Sequence, residues 1–227
     1  MRYLVIGAAG YAQEVAWSLQ AQCTAEGRPC HLAFFDDRVP LGPLASGLGP
    51  VVGGLDLITE HARWGDAQLV LGVGLPRTKA AVVARLSSLD LPWATVVHPA
   101  AIIGPNVTIG DGSYVGAGSV LTVNVEVGRF VTINLHCQVA HDDVVEDFAT
   151  LHPDTHLSGG VVIEEGSELG TGAIVIPGVR VGPWSVLGAG AVAVRALEGW
   201  STYTGLPARP LPGRVDESRV VAVRRAS

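Results

Sequence analysis

A repeat of six residues dominates the second half of the chain. Every sixth residue from Val97 to Leu187 is a branched apolar residue, without exception. A second set of mostly small residues follows four positions later, from Ala101 to Ala191, and only Asp143 departs from it. A period of six fits neither an α-helix nor an alternating strand. It is a known period of the parallel β-helix, in which each hexad forms one flat side of a coil.

Three hexads close one triangular coil, and successive coils lie one strand spacing apart, about 4.8 Å. The large residue of each hexad is expected in the interior, with the small residue packed beside it. Several outward positions are also apolar, among them Val120, Val162, Ile174 and Val192. Because a lone prism would expose them as contiguous apolar surface, we predict that three chains assemble into a homotrimer.

The first third of the chain has a different pattern. Residues 2–6 are predicted as a strand, residues 7–12 as a glycine-bearing turn, residues 13–22 as a helix and residues 31–35 as a second strand ending in two aspartates. Such a unit can present backbone N–H groups and a helix N-terminus to a phosphate. The turn lacks the middle glycine of the full dinucleotide motif. Two simpler interpretations stay open: the glycines serve only the turn, and the aspartates are solvated.

A third strand is predicted at residues 67–71, and a further helix follows at residues 77–86. That helix is expected to carry Lys79 and Arg85 on its polar side. The hexads begin soon after it, so the expected fold is an α/β domain followed by a parallel β-helix.

Composition limits the classes of function. The 227 residues carry a net charge of -6, and the pI near 5.6 gives no electrostatic reason to expect nucleic acid as a partner. No apolar run approaches the length of a membrane span, and the N-terminus leads directly into a strand and a turn. We therefore expect a cytoplasmic protein without a membrane span.

The order of these segments resembles that of a known family. An IGAAG turn, an FFDD strand end, an LGVG strand end, a VVHPAA junction, the hexads and a closing segment at Tyr203–Ala208 follow one another along the chain. This order resembles the hexapeptide-repeat nucleotide-sugar acetyltransferases, the group that includes sialic-acid O-acetyltransferase-like proteins and the bacillosamine and perosamine N-acetyltransferases. The resemblance implies that the β-helix is left-handed, which departs from the usual right-handed crossover.

The resemblance also implies a domain plan. Residues 1–94 would form a Rossmann-like domain that binds a nucleotide sugar, residues 95–210 the left-handed β-helix with its closing segment, and residues 211–227 a C-terminal tail. The partners implied are a nucleotide-linked amino sugar and acetyl-CoA, the cosubstrate, with no metal. The setting implied is polysaccharide biosynthesis.

Site residues follow from the same resemblance. His141 falls on the family's general base, Asp142 on the acid beside it and Asn134 on an active-site asparagine. Further positions match nucleotide-sugar contacts, namely Ala9, Gly10, Tyr11, Asp36, Asp37 and Gly72. Another four match coenzyme contacts, namely Thr150, Gly159, Thr171 and Ala189. Tyr11 and Ala12 stand where family members often have histidine and glycine.

The residues themselves support part of this assignment. Histidine has a suitable intrinsic pKa for removing a proton from an amine, and a carboxylate beside it fixes its tautomer. Gly159 comes 18 residues after His141, so it should lie one coil away and could offer its N–H to a thioester oxygen. Asp143, the break in the small-residue set, suggests that regularity yields to a site here.

We therefore predict an acetyl-CoA-dependent N-acetyltransferase that acts on the amine of a nucleotide-activated amino sugar by direct transfer. Two alternatives stay open: O-acetylation of a sugar of the sialic acid type, and a non-catalytic nucleotide-sugar-binding scaffold. His136 is the second candidate for the base.

Overall fold

A computed structural model of the chain describes residues 1–62, 67–89 and 91–214. The N-terminal part contains the elements β1 (Arg2–Ile6), α1 (Gly10–Ala25), β2 (His31–Phe35), β3 (Gly42–Pro43), β4 (Pro50–Gly53), a 3-10 helix (Leu55–Leu57), α2 (Ile58–Ala62), β5 (Ala67–Leu71) and α3 (Pro76–Leu86). The strands form one sheet in the order β3-β4-β2-β1-β5. Neighbouring strands run parallel except for the pair β3 and β4.

Alternation along β1 explains why helices cover both faces of this sheet. Tyr3 and Val5 point to the side on which α1 packs, whereas Leu4 and Ile6 point to the side that contains Ile58 of α2. All four side chains are buried. An element that buries both faces needs apolar residues at consecutive positions, which is the pattern of a parallel strand between helical layers.

The three strands predicted in this region, β1, β2 and β5, are confirmed at their predicted bounds. The helix predicted at residues 13–22 instead begins at Gly10 and ends at Ala25, so Gly10 and the two residues after it lie in its first turn. The prediction missed β3 and β4, which are short and rich in glycine and proline, residues that are uncommon in strands.

From Val96 onward the chain forms a β-solenoid with three parallel faces. The first face contains Val96–Val97, Tyr114–Val115, Thr132–Ile133, Thr150–Leu151, Glu168–Leu169, Val186–Leu187, Ser201–Thr204 and Arg209–Arg214. The second face contains Ile102–Ile103, Val120–Leu121, Gln138–Val139, His156–Leu157, Ile174–Val175 and Val192–Ala193. The third face contains Thr108–Ile109, Glu126–Val127, Val144–Val145, Val162–Ile163 and Arg180–Val181. As far as Ala193, each strand residue pairs with the residue 18 positions later, as in Val120 with Gln138. The last coil is two residues shorter, and Val186 pairs with Thr202.

The interior follows the predicted hexad pattern. The large residues from Val115 to Leu187 are all buried, and so are the small residues from Ser113 to Ala191. Only the first coil is open, because no earlier coil covers it, and Ile103 is 40% exposed there. The predicted stacking of hexads is therefore confirmed.

The C-terminal end of the solenoid is closed by a hairpin. Ser201–Thr204 continues the first face, and Arg209–Arg214 pairs with it antiparallel. The tail predicted to begin at residue 211 therefore starts within this hairpin, and residues 215–227 lie outside the described residues. Among the described helices, none is long and apolar enough to cross a membrane.

The N-terminal part docks on the first face of the solenoid. The Tyr11 hydroxyl lies 3.0 Å from Thr132 Oγ1, and Ser18 Oγ lies 3.2 Å from the Tyr114 hydroxyl. Thr150 Oγ1 donates to the carbonyl oxygen of Gly74 at 2.7 Å. These contacts tie β5 and α1 to three successive coils.

Lys79 provides the most buried of these ties. The prediction that it lies on the polar side of α3 is wrong, because the side chain is 1% exposed. Its ammonium donates to the carbonyl oxygens of Phe130 and Ala149 at 2.8 and 2.9 Å. Burial lowers the pKa of Lys79 well below its usual value. Arg85, in contrast, is exposed and pairs with Asp56, as a polar-side residue should.

Asp143 departs from the small-residue set without interrupting the stacking. Ser119, one of the small set, accepts a hydrogen bond from the N–H of Cys137 in the next coil. The Asp143 carboxylate likewise accepts the N–H of Val161 in the next coil, and it also accepts the N–H of Ala140, both at 2.8 Å. The carboxylate therefore serves the fold in the way that the serine does, and the interpretation that regularity yields to a site here is not needed.

We expect replacement of Lys79 by alanine to lower the free energy of unfolding by about 2–5 kcal/mol, because it leaves a cavity and removes the ammonium donor from the buried carbonyl oxygen of Phe130, whereas the Ala149 carbonyl keeps the N–H of Thr132. Arg85→Ala on the same helix is the matched control and should change it by less than about 1 kcal/mol. Urea unfolding of the three proteins measures both effects. Equal losses would contradict the docking role of Lys79.

Asp143 should make stability depend on pH. Burial raises its pKa from 3.8 to about 6, even though backbone N–H donors favour the charged form. Its contribution is thus complete below pH 4 and is lost as the pH rises through 6. Relative to Asp143→Ser, the wild-type free energy of unfolding should fall by up to about 3 kcal/mol between pH 4 and 7. If the difference in free energy of unfolding between wild type and Asp143→Ser stays constant from pH 4 to 7, or rises, Asp143 does not have a raised pKa in the folded protein.

Candidate active site

His141 and Asp142 form a hydrogen-bonded pair at the corner between the second and third faces. His141 Nδ1 lies 2.9 Å from Asp142 Oδ2. In the single chain the two side chains are 64% and 59% exposed. With Nδ1 bound to a carboxylate, the other ring nitrogen, Nε2, is the one that can take a proton from a substrate.

Gly159 lies directly beside His141 in the next coil, as the spacing of 18 residues predicts. The N–H of Gly160 donates to the carbonyl oxygen of His141 at 2.9 Å. A Cβ added to Gly159 would meet His141 Cε1 and Nε2 at 2.9 Å, and the backbone there has φ +102°. Glycine is therefore required for the imidazole to occupy its place. The predicted contact between the Gly159 N–H and a thioester oxygen stays a prediction.

Asn124 is a site residue that the sequence prediction missed. Its side-chain Nδ2 donates to Asp142 Oδ1 at 3.0 Å. The signal was available, because Asn124 precedes Asp142 by one coil of 18 residues. The prediction applied the spacing of 18 residues to His141, where it gave Gly159, but not to Asp142, whose neighbour in the preceding coil is Asn124.

Asn134, the third predicted catalytic residue, lies at a different corner from His141. It follows the first-face strand Thr132–Ile133, whereas His141 follows the second-face strand Gln138–Val139. Asn134 is 7% exposed, and its Oδ1 accepts from the N–H of Leu135 at 2.7 Å. Within one chain, the structure does not bring Asn134 and His141 together.

The four predicted coenzyme contacts are distributed over the solenoid. Thr171 and Ala189 are exposed and lie one coil apart at the corner between the first and second faces. Gly159 lies beside His141. Thr150 is buried, and its hydroxyl is occupied by the carbonyl oxygen of Gly74, so its side chain serves the docking of the N-terminal part.

The predicted nucleotide contacts meet at the carboxyl edge of the N-terminal sheet. Because β1, β2 and β5 are parallel, the residues that follow them lie together. The N–H of Gly7 donates to the carbonyl oxygen of Phe35, and the N–H of Gly72 donates to the carbonyl oxygen of Ile6. α1 begins at this edge without a side-chain cap, and the space around Gly10 is open. The first turn of a helix with open space before it suits an anionic group.

Several residues at this edge have structural partners. Asp36 accepts from the N–H of Ala8 at 2.8 Å and from two backbone N–H groups in the following turn, and Asp37 accepts from the N–H of Leu55. The interpretation of both acids as merely solvated is therefore wrong. A Cβ on Gly72 would lie 2.5 Å from the carbonyl oxygen of Ile6, so only glycine permits this approach. Burial raises the pKa of Tyr11, whose ring lies edge-on to Tyr114.

Comparison with known proteins gives consistent results. The chain is 26% identical over 178 residues to GDP-perosamine N-acetyltransferase of Escherichia coli O157:H7, covering 76% of this chain and 77% of that protein. No protein-family model matches the chain.

Solved structures agree over nearly the whole length. The acetyltransferase domain of PglB from Neisseria gonorrhoeae is 31% identical, with a TM-score of 0.86, and the match covers 92% of this chain and 99% of that one. PerB from Caulobacter crescentus, solved with CoA and GDP-perosamine, is 30% identical with a TM-score of 0.83, covering 93% and 97% of the two chains. The chain therefore belongs to the family of hexapeptide-repeat sugar N-acetyltransferases.

Proposed function

We propose that the protein transfers the acetyl group of acetyl-CoA to the amine of a nucleotide-linked amino sugar, with His141 as general base. The observation that carries this proposal is the His141–Asp142 pair beside Gly159 in a chain of this family. CoA and GDP-perosamine bound in PerB support both substrates. A GDP-linked amino sugar is accordingly the first substrate to test.

In this reaction the amine nitrogen attacks the thioester carbonyl carbon, a C–N bond forms and the C–S bond breaks. His141 Nε2 accepts the proton that the nitrogen loses, and the coenzyme A thiolate leaves. Asp142 holds the imidazole in the tautomer that keeps Nε2 available and stabilises the imidazolium that results. Gly159 leaves room for the ring, and Thr171 and Ala189 offer exposed positions for coenzyme contacts.

The carboxyl edge of the N-terminal sheet is the proposed site of the nucleotide. In this proposal residues 1–94 act as a Rossmann-like unit, and the first turn of α1 at Ala9, Gly10 and Tyr11 receives the diphosphate. Asp36, Asp37 and Gly72 shape the edge through their contacts with the backbone. Left-handed winding of the solenoid at residues 95–210 belongs to the same proposal.

The geometry of one chain favours a site shared between chains. The N-terminal part docks through Tyr114, Thr132 and Thr150, which all lie on the first face. His141 lies at the corner between the other two faces, which is the corner opposite the first face of a triangular prism. A sugar held by the N-terminal part of one chain would therefore reach the base of another, and we propose that the functional unit is a homotrimer.

A base that is more than half exposed also needs a partner surface. Electrostatic and proton-transfer effects are stronger where water is excluded. His141 has no such enclosure in the single chain. A neighbouring chain would supply the missing wall, and it would bring an Asn134 from a different corner within reach of the same site.

Replacement of His141 by alanine should lower turnover by roughly 10²- to 10⁴-fold, the usual contribution of a positioned general base, while leaving the affinity for acetyl-CoA unchanged. Thiol release from acetyl-CoA with GDP-, UDP- and dTDP-linked amino sugars measures the reaction. His136→Ala is the control and should be nearly silent. The proposal would be overturned if the acetyl group were transferred only to sugar hydroxyl groups, or if His136→Ala lost turnover while His141→Ala kept it.

A complementation experiment tests the shared site. Gly10→Trp should block the nucleotide edge, and His141→Ala removes the base, so each variant alone should lose most of its turnover. If the site is shared, an active site forms where the N-terminal part of a His141→Ala chain meets the base of a Gly10→Trp chain. Co-expression in equal amounts should then restore up to about one quarter of the sites, because each of the two chains is present with a chance of about one half. Mixed oligomers with no activity would place both halves of the site in one chain.

A further inference from the structure

A column of polar side chains leads to Asp142 from the two preceding coils. Asn106, Asn124 and Asp142 follow one another at intervals of 18 residues. All three have left-handed backbone conformations, with φ of 55°, 55° and 60°. Asparagine and aspartate tolerate this conformation better than other non-glycine residues, which explains why these residue types recur at this corner.

The column has a direction. Asn106 Nδ2 donates to Asn124 Oδ1 at 2.9 Å, and Asn124 Nδ2 donates to Asp142 Oδ1 at 3.0 Å. An ionised carboxylate only accepts hydrogen bonds, so Asp142 itself requires the NH₂ end of the Asn124 amide to face it, and Asn106 donates to the amide oxygen at the other end. The other carboxylate oxygen, Oδ2, is the one bound to His141.

The Asp142 carboxylate thus has one partner on each oxygen. Its side chain is 59% exposed, and exposed pairs of this kind are weak because the side chains are mobile. A second donor restricts rotation of the carboxylate about its side-chain bonds. The hydrogen bond with His141, and after it the one from Asn124, hold the pKa of Asp142 below its usual value.

The column ends at the candidate active site. After Asp142 the next two positions are Gly160 and Gly178, both with left-handed conformations. Among the described residues, the positions that follow Asp142 in the column therefore place no side chain over it on the C-terminal side. Support for the carboxylate comes from the N-terminal side, through Asn124.

We propose that Asn124 is a positioning residue, whose amide holds the Asp142 carboxylate in the orientation in which it accepts a hydrogen bond from His141. This inference rests on the proposed function, in which His141 and Asp142 take part in proton transfer. It adds a residue in the preceding coil to a pair that is adjacent in sequence.

Two substitutions test the proposal without straining the turn. Asn124→Gly tolerates the same φ but lacks the amide, and kcat should fall about 3- to 30-fold with KM for both substrates within about twofold. Asn124→Asp keeps the shape but places a carboxylate against Asp142. The nearby negative charge favours protonated imidazole, so the acid limb of the kcat/KM profile should move to higher pH by about 0.5–1 unit. The NMR titration midpoint of the His141 ring should move in the same direction.

Asn106→Gly is the matched control, because Asn106 has the same conformation but does not contact Asp142. Its kcat should stay within about twofold of the wild-type value, since Asp142 keeps its donor. Equal losses for Asn106→Gly and Asn124→Gly would overturn the proposal, as would an unchanged pH profile and ring titration in Asn124→Asp. If His141→Ala loses activity while the Asn124 variants behave as wild type, only the positioning role fails. Wild-type turnover in His141→Ala overturns the proposed base, and the positioning role with it.

Discussion

The regular backbone ladder of the solenoid is the interaction on which the rest of the structure depends. The N–H of Val120 donates to the carbonyl oxygen of Cys137, and that of Gln138 to the carbonyl oxygen of Thr155, so from Val96 to Ala193 each coil hydrogen-bonds to the next in one register. Such a ladder places residue i beside residue i+18 at every face and corner. It therefore stacks Asn124 on Asp142 and sets His141 beside Gly159. The site is a local consequence of the register that holds the fold together.

Polar groups inside the solenoid are tolerated because they replace parts of this ladder. Ser119 and Asp143 accept N–H groups from the following coil, and neither leaves a buried polar group without a partner. The two residues differ in one respect, since the carboxylate can become charged. Because burial disfavours that charge, we expect the coil beside His141 to be more sensitive to pH than the coils that use serine.

The docking of the N-terminal part gives the molecule its functional geometry. Buried Lys79 bonds to carbonyl groups at the turn that leads into the first face, and Thr150 bonds to the turn after β5. These contacts fix the carboxyl edge of the sheet beside the first face. The His141 corner lies opposite that face, so the carboxyl edge and His141 are separated within a chain. In the proposed trimer, a neighbouring chain would bring the carboxyl edge of one chain to the His141 corner of another and would cover the exposed imidazole.

The sequence by itself determined the solenoid, because a six-residue period over 16 hexads is compatible with few other folds. It also determined β1, β2 and β5, whose consecutive apolar residues are typical of buried parallel strands, and the stacking of Gly159 on His141. The resemblance of its motifs to a known family identified the His141–Asp142 pair. These features depend on spacing along one chain, which the sequence contains directly.

Tertiary structure decided what depends on contacts between distant segments. Lys79 has the helical position of a polar-side residue, and only the docking of α3 on the first face buries it. The family resemblance implies a coenzyme contact at Thr150, and only the packing of the two parts shows that its hydroxyl donates to the carbonyl oxygen of Gly74. Asn134 stands seven residues before His141 and yet lies at another corner, because each hexad turns the chain to a new face. No local pattern carries this information, since burial and orientation arise only when the sheet and the solenoid pack together.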